Sequence, residues 1–63
     1  PEYMTIPENE EKMLMADIEA EKATINQYRM HMKMISDACV NAVLARIIQD
    51  EEYHIMLLQM LRK

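Results

Sequence analysis

Apolar residues recur at alternating spacings of four and three along two stretches of this chain, and the two stretches are out of phase. Leu14, Ile18, Ile25, Met32 and Ile35 mark the first, with Glu21 and Tyr28 in the same series. Val40, Leu44, Ile47, Leu58 and Leu61 mark the second, with Glu51 and His54 in that series. Alternation of four and three is the seam of a helix packed in a bundle. Continuing the first seam past Ile35 would bring Cys39, Ala42 and Arg46 into a core, a poorer set than the second seam offers. The chain is therefore expected to break near Ser36-Asp37, both good N-cap residues for a second helix. The alternative is one continuous long helix, since neither Pro nor Gly enforces a turn there.

The expected fold class is all-α: an antiparallel two-helix hairpin forming a single domain. It would have a short arm at 1–6, a helix over about 7–35, a turn at about 36–38 and a helix over about 39–62. Thr5 and Glu8 have the spacing of a capping box, Pro7 suits a first turn, and Glu8, Glu10 and Glu11 favour the positive end of the helix dipole. A lone hairpin has no second layer against which to bury both seams. The chain has 63 residues and neither Phe nor Trp to enlarge its core. The expectation is a homodimer at minimum, in which two hairpins make a four-helix bundle.

Bulk properties remove other classes. The net charge is −4 and there is no basic block, so neither nucleic acid nor an anionic membrane is an expected partner. Without a single Gly, phosphate-cradling loops are excluded. Cys39 is the one cysteine and has no internal partner, which fits a reducing compartment. Neither a signal peptide nor a membrane span is visible, so a cytoplasmic location is expected.

In an antiparallel hairpin turning near residue 36 or 37, Glu21 lies at the level of Glu51. His54 falls one turn on, opposite Ile18 and next to Asp17. The polar members of both seams thus meet at one height. Ionised carboxylates in a core are costly unless compensated. No Lys or Arg shares either seam, which argues against an internal salt bridge. Two readings stay open: the three side chains lie at an edge and reach water, or they hold a divalent metal. Two hard carboxylates with an imidazole suit Fe, Mn or Zn. Glu51-Glu52-Tyr53-His54 is a Glu-x-x-His, with both donors on one helix face. Dinuclear carboxylate sites in bundles take one Glu from each of two helices and a Glu-x-x-His from each of the other two. This hairpin supplies one of each, so two copies would supply four Glu and two His.

Glu21, Tyr28 seven residues later, and Glu51 with His54 thirty residues after Glu21 give a pattern that resembles the ferritin-like superfamily, most closely the encapsulated ferritins. The resemblance covers roughly residues 8–62. It implies a two-helix half-ferritin subunit that assembles an iron-oxidising centre across a subunit interface, in ring-shaped assemblies of dimers. It also implies iron ligation by Glu21, Glu51 and His54, with Tyr28 behind the ligands. Family members store iron with a protein shell as partner, inside a nanocompartment. Ala20 and Ala23 stand where those proteins carry extra acids leading to the site, and no docking tail is visible after Lys63.

The neighbours of the cluster carry weaker expectations. Asp17 is a candidate to accept the second ring N–H of His54, Asp50 is its competitor, and both equally suit a solvated flank. The Tyr28 hydroxyl is expected to bond a ligand carboxylate or a water, or else any nearby core partner. Glu52, Tyr53 and His31 fall off the seams and are expected at the surface or an interface. Met30-His31-Met32-Lys33-Met34 resembles a soft copper(I) cluster, but only Met30 and Met34 share a face, and adaptable packing explains the methionines without copper. Ala16, Ala20 and Ala23, with Ala38, Ala42 and Ala45, would allow close helix approach. Ile48 and Ile55 suggest contacts beyond one dimer or core burial within it, and Cys39 is expected as a small apolar filler.

The function expected from these residues is a di-iron centre oxidising Fe(II) with oxygen or peroxide. Glu21 and Glu51 would hold and bridge two irons, and His54 would give one nitrogen to each. The alternatives are a non-catalytic iron or zinc bundle, with Mn also suited to the ligands, and a metal-free helical interaction module.

Overall fold

The computed structural model describes residues 6–62. Helix α1 spans Glu8–Met34 and helix α2 spans Ala38–Leu61, and among the described residues there is no strand. The two helices run back along each other as a hairpin, so the single continuous helix is not what the chain adopts. The molecule measures 48 × 22 × 9 Å, which is one layer of helix in its thin dimension. No helix is long and apolar enough to cross a membrane among the described residues.

Helix α1 starts one residue after its proline. Pro7 holds the N-cap position with ψ at 148°, outside the helical range, and its carbonyl accepts from the N–H groups of Glu10 and Glu11 at 3.0 and 2.9 Å. Among the described residues no side chain caps this end. Pro7, with its fixed φ of −56°, sets the first turn; the expected Thr5 cap lies outside the described residues. Glu8, Glu10 and Glu11 in the first turn, with His31 and Lys33 in the last, complement the helix dipole.

The turn is built without glycine. Ile35 is extended, at φ −98° and ψ 126°, and its N–H still bonds the His31 carbonyl at 2.9 Å. Asp37 caps α2 by accepting from the Val40 N–H at 3.0 Å. From the first turn of α2, Asn41 Nδ2 donates to the Ile35 carbonyl at 2.8 Å and ties the connection down.

Among the described residues only Ile18, Ile25 and Ile48 are buried, and Leu14, Leu44, Ile47, Ile55 and Leu58 are half-buried around them. On α1 this is the expected seam. On α2 the seam is corrected, because Ile48 is its buried member while Val40, His54 and Leu61 are exposed. Ile47 and Ile48 are both apolar, and consecutive residues lie about 100° apart around a helix. The apolar arc of α2 is thus wider than one contact, and α1 packs on its Ile48–Ile55 edge. Within the hairpin Ile48 is buried and Ile55 half-buried. The alanine strips lie outside the helix contact, with only Ala45 half-buried.

Among the described residues two arginine ion pairs join the helices. Arg29 meets Glu52 at 2.9 Å, and Arg62 meets Glu11 at 3.4 Å. Side chains lean toward the N-terminus of their own helix, so Arg29 and Glu52, two turns out of level by backbone position, still meet. Exposed pairs of this kind contribute at most about 1 kcal/mol each and act chiefly on alignment.

Candidate metal centre

Midway along the hairpin, α1 contributes Glu21, and α2 contributes Glu51 and, one turn on, His54. His54 Nδ1 lies 3.1 Å from Glu51 Oε1 and 3.4 Å from Glu21 Oε2. One potential ligand atom from each of the three residues lies within 4.8 Å of the others. With the carboxylates ionised, the contact to Glu51 requires the Nδ1–H tautomer of His54. Glu21 and Glu51 are half-buried at the margin of the helix contact, whereas the His54 side chain is 55% exposed. The cluster therefore opens onto one face of the layer.

Its charge is unbalanced. The Glu21 carboxyl is held above the usual carboxylate range, first by its hydrogen bond to Glu51, then by burial and by repulsion from the Glu51 charge. His54 acts the other way, through its hydrogen bond and its charge. No Lys or Arg joins the cluster among the described residues. Lys12, Lys22, Arg29, Arg46 and Arg62 pair instead with Glu8, Glu19, Glu52, Asp50 and Glu11. Those five acids each have their own cation, whereas this facing pair has one imidazole between them.

The flanking residues fall as follows. Asp17 is exposed and makes no hydrogen bond or ion pair among the described residues. It lines a shallow groove of about 330 Å³ at the open end of the hairpin, with Ile6, Glu10, Met13, Leu14 and Leu61. Asp50 is taken by Arg46 at 3.3 Å. Tyr28 is half-buried, and its ring meets that of His31 edge-on, with centroids 6.4 Å apart. Its hydroxyl has no hydrogen bond among the described residues, and His31 stays outside the cluster. Glu52, Tyr53 and Cys39 are exposed, Glu52 facing Arg29 on the other side of the hairpin from the cluster. Packing within the hairpin accounts for Met32, which is half-buried. It does not account for Met30 and Met34, which are 60% and 79% exposed.

Arg29 and Arg62 were not singled out by the seams, although they fix the alignment that brings Glu21 to Glu51. The signal that would have found Arg29 is the backward lean of long helical side chains, which adds about a turn to the reach of each partner.

No known family model, curated protein or solved structure matches this chain.

Proposed function

We propose that two copies of this hairpin pair through the face that carries His54, completing a ferritin-like four-helix bundle, and that the joined clusters bind two iron ions and oxidise Fe(II). The observation that carries this reading is the gathering of Glu21, Glu51 and His54, two carboxylates and an imidazole from two helices, with no Lys or Arg among them. The donor set fits the ion. Carboxylate oxygens are hard ligands, imidazole is borderline, and together they suit Fe, Mn and Zn. The repulsion that raises the Glu21 pKa is what a divalent cation relieves.

Iron is the substrate here, and the oxidant is dioxygen or peroxide. Two Fe(II) give two electrons. With dioxygen and two protons the products are two Fe(III) and hydrogen peroxide; with peroxide and two protons they are two Fe(III) and two waters. Glu21 and Glu51 hold negative charge where positive charge increases, which favours the ferric product. His54 contributes a nitrogen from α2, and its Nδ1–H contact with Glu51 orients the ring. A two-fold pairing doubles the set to four carboxylates and two imidazoles, as dinuclear bundle sites require.

The test is Fe(II) oxidation in air, followed by near-ultraviolet absorbance, with bound iron counted per dimer. The reading expects two irons per dimer, oxidation faster than the protein-free control, loss of the acceleration in Glu21→Ala, and inhibition by redox-inert Zn²⁺ at the same ligands. Iron bound at these residues with no acceleration would defeat the enzymatic claim and leave a binding site.

A further inference from the structure

The last turn of α1 carries three donors that neither the core nor the carboxylate cluster uses. Met30 and Met34 are i and i+4 on one face, and His31 is three residues before Met34, so Met34 neighbours both. Helical geometry holds through this turn, because the Ile35 N–H bonds the His31 carbonyl at 2.9 Å. Met30 and Met34 are among the most exposed large apolar side chains of the hairpin, and His31 is also exposed. His31 makes no hydrogen bond or ion pair among the described residues, only the edge contact with Tyr28. Thioether sulfur is a soft ligand that selects monovalent copper over harder ions, and imidazole completes such sites readily. The C-terminal end of a helix, with its unpaired carbonyls, adds a favourable potential for a cation.

We propose that Met30, His31 and Met34 form a second metal site, for a soft monovalent cation of the Cu(I) class, at the turn end of the hairpin. It is independent of the Glu21–Glu51–His54 centre, whose oxygen donors suit harder ions. Two thioethers and one imidazole give the low coordination number that such cations accept.

The molecule contains its own control. Met56 and Met60 on α2 have the same i, i+4 spacing and are 48% and 59% exposed, but no His lies three residues from either on the free side of the pair. If exposed thioethers alone captured the ion, the two pairs would respond alike. The experiment titrates Ag(I), a redox-inert probe of the class, into the full chain carrying Cys39→Ser, since the exposed Cys39 thiol is a stronger soft ligand. The readout is the methionine methyl NMR signals. The Met30 and Met34 methyls should shift at about tenfold lower Ag(I) than those of Met56 and Met60. His31→Ala, at an exposed position, should erase that difference while leaving the other methyls unchanged. Parallel shifts of both pairs, or a preference that survives His31→Ala, would overturn the proposal. So would His31 ring signals that move while the Met30 and Met34 methyls stay still.

Discussion

Glu51 and Glu52 are adjacent in the sequence and serve opposite sides of the hairpin. Glu51 lies 3.1 Å from His54 in the carboxylate cluster, and Glu52 lies 2.9 Å from Arg29 on the far side. Their alanine variants should therefore separate cleanly. Glu51→Ala is expected to weaken Zn²⁺ binding at least about 100-fold by calorimetric titration, and Glu52→Ala to leave it within a few-fold. His54→Ala should behave like the first and His31→Ala like the second. Glu21 makes a pH prediction. Its folded-state pKa is raised, so the folded chain keeps this proton to higher pH than the unfolded chain does. The stability this contributes is full below the ordinary carboxylate pKa and is lost as pH rises through the raised value. Urea unfolding of the metal-free protein should show that decline, flattened in Glu21→Gln, which should stabilise the neutral-pH protein by no more than about 1 kcal/mol. A bound divalent cation should reverse the trend, since it favours the ionised carboxylates.

The two helices begin differently. Helix α1 relies on Pro7 and on acids in its first turn, whereas α2 has a side-chain cap from Asp37 to the Val40 N–H. Asp37→Ala should cost about 1 kcal/mol of stability, read as a lower thermal midpoint, because the orphaned N–H groups of α2 lose their acceptor. The break between the helices was legible because the apolar phase changes there and Asp37 is a capping residue. The α1 seam was legible because its middle, from Ile18 to Ile25, is flanked by polar residues and alanine. The inward edge of α2 was not. Ile47 and Ile48, and then Ile55 beside His54, offer two adjacent apolar edges, and periodicity within one helix does not rank them. The rank came from α1, which presses Ile18 and Ile25 against the Ile48 edge and leaves Val40 and Leu61 outside. For the same reason the meeting of Glu21 with Glu51 followed from antiparallel level. Level alone did not decide between the two readings of Asp17, which lines the groove at the open end and makes no hydrogen bond to His54 among the described residues.

As a whole, the molecule is one layer, 9 Å deep, with three buried side chains among the described residues, and Met13, Val43, Leu57, Met60 and Leu61 are among its exposed apolar residues. A layer of this kind has little interior of its own, so the proposed pairing should appear in thermodynamics. The unfolding midpoint should rise with protein concentration, and light scattering at micromolar concentration should give at least twice the 7.5 kDa chain mass. A stable helical monomer would remove both the assembly and the shared centre. The construction of the cluster also limits how such a chain can drift in length. Glu21 meets Glu51 because equal lengths of helix run back from the turn and because both residues point to the same side. One inserted residue between Asp37 and Glu51 would turn everything after it by about 100°, carrying the acid and the imidazole off the open face. Seven inserted residues nearly restore the angle but slip the level, unless α1 gains seven as well. Descendants that keep the cluster can thus change length only by matched insertions in both helices that restore the angle, paired heptads being the shortest near match, or by growing at the open end.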